Sequence, residues 1–264
     1  MSTLHITTIQ SDIQWESPEK NILHYDELLK GVSNTDIIVL PEMFLSGFST
    51  EPVDKVIAFA PRGLEWMQHK AASVSSAICG SLIVEENNML FNRFYFVMPC
   101  GTIHFYDKKH LFSMAGENKK FTPGTKNADI QYKDFSIRLN ICYDLRFPVW
   151  NRNVYNSEDN TYDYDILIFT ANWPERRIIH WEKLLQARAI ENQAYVVGVN
   201  RIGTDANNIQ YNGSTMIVDA VGEIIYKACD NEEDVYTVTL QKEVLNNIRQ
   251  KLPFAADWDK FQIQ

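Results

Sequence analysis

Nowhere in the 264-residue chain do about 18 apolar residues follow one another, so the sequence offers no membrane-spanning helix. The four cysteines, Cys79, Cys100, Cys142 and Cys229, lie far apart and none stands in a CxxC pair, which suggests neither a zinc knuckle nor a disulfide framework. Reduced thiols are expected. An excess of positive charge is missing as well: 25 Lys and Arg against 34 Asp and Glu leave a net charge of -9, which disfavours nucleic acid and anionic membrane as partners. An acidic small molecule would need local arginines. The opening Met1-Ser2-Thr3-Leu4-His5 has neither the basic start nor the apolar centre of a secretion signal, so the cytoplasm is the expected compartment. HExxH, a glycine-rich phosphate loop and an acidic calcium loop are all lacking, and no metal or cofactor is expected. With no proline- or glycine-rich linker and no repeat of fixed period, one domain over residues 1–264 is expected.

What is present is enough apolar material, 45% of residues, to fill a substantial core. Leu4 to Gln10 alternates like a strand. Ser17-Pro18-Glu19 then reads as an N-cap, a proline at the first helical position and an acid in the first turn, starting a helix that should run to about Gly31. Asp36-Ile37-Ile38-Val39-Leu40-Pro41-Glu42 is a short continuous apolar run, the mark of a strand buried on both faces. A helix is expected over residues 64–76, then an antiparallel meander of three strands to Tyr106, and a polar loop over residues 113–124. Further strands are expected at 165–170, 194–200, 213–226 as a hairpin, and 235–240, with a surface insertion at 156–162. A helix over 178–192 should bury Trp181, Leu184, Leu185, Arg188 and Ala189 along one stripe. Strands alternating with helices make a layered α/β fold.

Within this order one stretch stands out, Asn140-Ile141-Cys142-Tyr143-Asp144-Leu145-Arg146-Phe147-Pro148. Ile137, Leu139 and Ile141 alternate with polar residues, so Cys142 falls at the end of a half-buried strand, and Pro148 suits the first turn of a following helix. A strand-to-helix turn exposes a thiol beside free backbone N–H groups, which suits nucleophilic attack and an oxyanion. Glu42 and Lys108 also stand at strand ends. Together they would serve amide chemistry: a carboxylate takes the thiol proton, the thiolate attacks the carbonyl, an ammonium stabilises the oxyanion, and the acid protonates departing ammonia. Each alone has an ordinary explanation. An unpaired cysteine is usually a small buried hydrophobe, and a Glu or Lys beside a strand is usually solvated.

Family resemblance supplies what spacing does not. Leu40-Pro41-Glu42-Met43-Phe44 with Gly47-Phe48, Tyr106-Asp107-Lys108-Lys109-His110-Leu111-Phe112 and the Cys142 stretch resemble, in order, the three signatures of the nitrilase or carbon-nitrogen hydrolase superfamily. The resemblance implies a Glu-Lys-Cys triad at Glu42, Lys108 and Cys142, with Lys108 rather than Lys109 because the family pattern is Lys-x-His-Leu. It also implies a second, positioning glutamate at Glu117, ahead of Pro123-Gly124. The fold it implies is a four-layer α-β-β-α sandwich, and the assembly a homodimer or an even multiple joined through the 178–192 helix. Cys-Tyr-Asp-Leu-Arg-Phe-Pro and Asn172-Trp173-Pro174 resemble the omega-amidase branch, whose members deamidate small dicarboxylate monoamides such as 2-oxoglutaramate.

Such a substrate carries a carboxylate remote from the amide, which Arg146 or Arg176 would hold; alternatively Arg146 braces the nucleophile turn by pairing with Asp144 or Glu182. Phe44, Phe48, Tyr143 and Trp173 are expected as pocket walls. His110 and His180 are expected to be structural, and Asn212-Gly213-Ser214 to be a turn. Other amides (a deaminated peptide, an N-carbamoyl amine, an aliphatic amide) remain open, as does a non-catalytic binding module on the same fold.

Overall fold

Two six-stranded sheets face each other in the computed structural model, which describes residues 2–261 and 263. The first runs Asp234–Gln241, Thr3–Gln10, Ile37–Val39, Ala77–Glu86, Met89–Val97, Ile103–Asp107. Its three inner strands, Thr3–Gln10, Ile37–Val39 and Ala77–Glu86, are parallel, and the others join antiparallel. The second runs Ile224–Lys227, Met216–Val218, Tyr195–Asn200, Ile166–Ala171, Phe135–Ile141, Asp129–Tyr132, again with a parallel centre.

The two-residue period of a strand explains the layering. Ile37 and Val39, Phe94 and Phe96, Ile137 and Leu139, and Ile166 and Ile168 all point between the sheets into one core. Their alternates point outward. Ile38, Ile78 and Tyr95 meet helices α1 (Pro18–Leu28) and α2 (Asp54–Val74), while Leu167, Phe169 and Val196 meet α3 (Ile178–Asn192). The result is the expected α-β-β-α sandwich. The meander and the continuous apolar strand at 37–39 form as read, and α3 buries Trp181, Leu185, Arg188 and Ala189.

Five local expectations need correcting. Helix α2 begins at Asp54, ten residues before the expected start, and carries Pro61 within it. Burial of Val56, Phe59, Gly63, Met67 and Ala71 at spacings of three and four holds the helix through the proline, and a Cβ on Gly63 would come within 2.7 Å of Leu45. At α1, Ser17 makes no capping bond; its hydroxyl donates to the Trp15 carbonyl at 3.0 Å, and the helix ends at Leu28. The 113–124 loop holds two short 3₁₀ turns, Ser113–Ala115 and Glu117–Lys119, and residues 155–162 form a two-stranded ribbon. Finally, no helix starts at Arg146–Pro148. A 3₁₀ turn, Cys142–Arg146, begins at the cysteine itself.

Helix α4 (Lys242–Lys251) has no counterpart in the sequence reading; Leu245 and Ile248 close the end of the inter-sheet core. No helix among the described residues is long and apolar enough to cross a membrane.

Candidate active site

The parallel strands of both sheets end on the same side, and there the chain brings Glu42, Lys108, Glu117 and Cys142 together. Glu42 follows Ile37–Val39, Lys108 follows Ile103–Asp107, Cys142 follows Phe135–Ile141, and Glu117 arrives on the second 3₁₀ turn of the 113–124 loop. Lys108 is the hub. Its Nζ donates to Glu42 Oε1 at 2.9 Å and to Glu117 Oε2 at 2.9 Å, with all three side chains fully buried. Lys109 turns away, its ammonium 5.2 Å from the Trp150 ring centroid.

Cys142 holds a left-handed backbone, φ 42°, in a region unfavourable to non-glycine residues. Asp144, two residues on, makes that conformation possible. Its carboxylate accepts from the backbone N–H groups of Ile141 (3.1 Å) and His110 (2.9 Å) and from the Tyr106 hydroxyl (2.8 Å). From the far side, Asn151 donates to the Asp144 carbonyl at 2.7 Å and Arg188 of α3 to that of Leu145 at 2.6 Å. These side chains close the turn and satisfy the groups a longer helix would have used, which is the physical reason no α-helix follows. His110, bonded to Asp144 at 2.8 Å and stacked on Phe147, is structural as expected.

The electrostatics define the resting state. Burial, reinforced by the Glu42 carboxylate and opposed by Lys108, holds the Cys142 thiol well above its usual range. Burial also works against the charge on Lys108, yet Glu117 and Glu42 outweigh it and raise the ammonium above the ordinary lysine range. Glu117 is raised first by burial and then by Glu42, with Lys108 pulling the other way. At neutral pH the cysteine is therefore a thiol awaiting a base, and the lysine is a fixed cation.

Two residues that sequence reading did not place complete the carboxylate's surroundings. Asn172 donates its backbone N–H to Glu42 Oε2 at 2.8 Å and its side-chain amide to the Glu42 carbonyl at 2.7 Å. Asn92 donates its side-chain amide to Glu42 Oε1 at 2.8 Å and to Glu117 Oε1 at 3.3 Å. The spacing signal for either was absent: Asn92 lies beside Arg93 inside a mostly apolar strand, 50 residues from Glu42.

Cys142 and Lys108 open onto a cavity of about 340 Å³. Phe48, Tyr143, Trp173, Arg146 and Arg176 line it, as do Arg177, Phe112 and Tyr211, which the sequence did not single out. Phe44 does not: it is fully buried against Tyr25 and Trp66 as core. Nor does Arg146 pair with Asp144 or Glu182. It contacts His180 Nδ1 at 3.2 Å and lies 4.6 Å over the Trp173 ring, while Glu182 is taken by Lys227 and Ser214. Two larger cavities, of about 490 and 570 Å³, contain no cysteine.

Acyl transfer to sulfur is what a protonated thiol, a neighbouring carboxylate and a fixed ammonium can carry out, and a two-sheet sandwich presenting them at its strand ends defines a class of thiol hydrolases. Over residues 5–250 the sequence matches the carbon-nitrogen hydrolase family, and the chain belongs to that family. It is 40% identical over 263 residues to omega-amidase YafV of Escherichia coli K12, covering 100% of both chains. It is 28% identical to the 2-oxoglutaramate amidase of Bacillus subtilis, covering 96% of each. Among solved structures it resembles XC1258 of Xanthomonas campestris, a CN-hydrolase superfamily protein with an arsenic adduct in the active site, at 35% identity and a TM-score of 0.96 over 100% of both chains.

Proposed function

We propose that this hydrolase acts as an omega-amidase, cleaving the terminal amide of a small dicarboxylate monoamide such as 2-oxoglutaramate. The observation that carries this reading is the unpaired positive charge at the cavity. Arg146, Arg176 and Arg177 all line it beside Cys142, and none forms an ion pair among the described residues. Burial, with Arg176 and Arg146 adding to it, lowers the pKa of Arg177, whose guanidinium sits 5.4 Å over the Phe112 ring. A substrate carboxylate would relieve that repulsion through charge-assisted, planar hydrogen bonds. Asp205, the acid at the cavity wall, is already occupied by the Tyr211 hydroxyl and the N–H groups of Asn207 and Ile209.

In the proposed mechanism Glu42 takes the Cys142 proton as sulfur attacks the amide carbon, and the Lys108 ammonium faces the oxygen as it gains charge. The C–N bond then breaks as Glu42 returns its proton to nitrogen, releasing ammonia and leaving a Cys142 thioester. Glu42 next takes a proton from water, whose oxygen attacks the thioester. The C–S bond breaks as Glu42 returns that proton to sulfur, the carboxylic acid departs and the thiol is restored. Glu117 keeps Lys108 in place throughout.

Ammonia release measured on 2-oxoglutaramate, an N-carbamoyl amine and a neutral aliphatic amide tests the reading. The carboxylate-bearing amide is expected to be preferred by at least about tenfold in kcat/KM, each tenfold corresponding to about 1.4 kcal/mol of transition-state binding. Preference for the neutral amide would refute it.

The assembly belongs to the same proposal: a homodimer, or an even multiple of one, in the cytoplasm. Ile179 and Ile190 on α3 are half exposed, and the turn at Gly222, which packs against Ile190, carries the exposed Val221, an apolar face suited to a two-fold interface. Light scattering should give twice the chain mass or more. A stable monomer at micromolar concentration would remove the claim.

A further inference from the structure

We infer that Asn92 is a positioning residue of the Glu42–Lys108–Cys142 centre, its side-chain amide tying the two buried carboxylates together so that Glu42 stays fixed in place for proton exchange with the thiol. The centre contains two carboxylates, Glu42 and Glu117, for a single ammonium. Lys108 alone cannot answer both charges. Asn92 Nδ2 supplies the missing donors, one N–H to each carboxylate, at 2.8 Å to Glu42 Oε1 and 3.3 Å to Glu117 Oε1.

The orientation of the amide is forced. Were it flipped, Oδ1 would face the oxygens of two acids, so Nδ2 must point inward, and Oδ1 is left with no hydrogen-bond partner among the described residues. A buried, unpartnered carbonyl carries a free-energy cost, which the chain tolerates at a site where the donor is needed. Asn92 also couples to the lysine through the main chain: the Lys108 N–H donates to the Asn92 carbonyl at 3.0 Å. One residue thus sets the backbone from which Lys108 projects and the separation of its two acceptors. With Oε1 of Glu42 held by Lys108 and Asn92, and Oε2 by the Asn172 N–H, the carboxylate plane has no freedom to turn.

This rests on the proposed thiol chemistry, whichever amide proves best. Three readouts separate positioning from simple support. In Asn92→Leu, kcat should fall by about 10- to 100-fold with KM little changed, as expected when general base catalysis is impaired. The acidic limb of its rate profile should also move to higher pH, because a carboxylate that loses a hydrogen-bond donor keeps its proton longer. Asn92→Asp, nearly isosteric, should show the reverse pattern. Part of its activity should survive at low pH, where a protonated carboxyl can still donate one O–H, and be lost as pH rises and a third carboxylate forms. A loss in Asn92→Leu with an unmoved pH profile, or activity within about threefold of wild type, would overturn the inference.

The third readout needs no substrate. At pH 8.5 iodoacetamide should label Cys142 about three- to tenfold more slowly in Asn92→Asp than in wild type, since each added carboxylate holds the thiol proton more tightly. Exposed Cys100 and Cys229, mapped by peptide mass, serve as internal references. Equal labelling of Cys142 would also overturn it. A wild-type protein inactive on every amide offered would refute the proposed function, and the labelling would still decide the role of Asn92.

Discussion

Cys142→Ala is expected to release ammonia no faster than the buffer background, a loss of at least about 10⁴-fold, because without sulfur there is no covalent step for the remaining groups to assist. The fold should survive. Alanine is smaller, the turn is held by Asp144, Asn151 and Arg188 rather than by the thiol, and the positive φ at 142 is no harder for alanine than for cysteine. Far-ultraviolet circular dichroism should be unchanged while activity disappears. Retained ammonia release in a folded Cys142→Ala protein would instead favour a different nucleophile, such as a water activated directly by Glu42.

Lys108→Met should fail differently, in stability as well as in rate. Removing the ammonium takes the oxyanion partner away, an expected loss of about 10²- to 10³-fold. It also strands two buried carboxylates, and breaking a buried ion pair from one side costs about 3–5 kcal/mol. The sign of the pH dependence follows from Glu117. Its pKa is already raised by burial and by Glu42, and Lys108 is the neighbour that lowers it. In the variant the folded-state value therefore climbs further above the unfolded one. A group raised in this way favours the folded state while protonated and loses that contribution as pH rises past the unfolded carboxyl value of about 4.3 towards the folded one. The gap in melting temperature between wild type and Lys108→Met should accordingly be small near pH 5 and wide at pH 8. An equal gap at both would mean that the lysine does not answer the carboxylates' charge.

The way each residue became visible, or failed to, reflects the range of the physics behind it. Glu42, Lys108 and Cys142 each interrupt an apolar strand pattern, a signal carried by a few neighbouring residues, so all three strand ends could be located before the fold was known. That the three ends converge is a tertiary fact, and it came from motif order. Glu117 had no local signal at all and rested wholly on resemblance. Asn92 and Asn172 reach Glu42 across 50 and 130 residues, and a polar side chain within or beside a strand looks the same in sequence whether it meets solvent or a buried carboxylate.

The fold shows the same division. In the structure, strand alternation divides the inter-sheet core from the two helix-facing cores; the sequence showed the period but not which face met which layer. Helix α2 was expected only from residue 64, yet it starts at Asp54 and runs through Pro61, a local breaker overruled by the packing of Phe59, Met67 and Ala71. The turn after Cys142 looked helical because Pro148 suits a first turn; Asp144, reaching back to the Ile141 N–H and across to Tyr106, decided otherwise. Arg146 was read as either a substrate contact or a brace to Asp144 or Glu182. Both acids prove to be engaged elsewhere, which leaves its guanidinium facing the cavity with Trp173 and His180.

Everything proposed here for the site depends on sulfur of Cys142 carrying the acyl group between two half-reactions. Intact-mass measurement of enzyme quenched in acid during turnover of 2-oxoglutaramate tests it most directly. The expected spectrum shows an adduct equal to the acyl residue after loss of ammonia, mapped to the Cys142 peptide, removed by hydroxylamine and missing in Cys142→Ala. Steady ammonia release with no adduct on that peptide, in a protein whose Cys142→Ala variant is equally active, would contradict it.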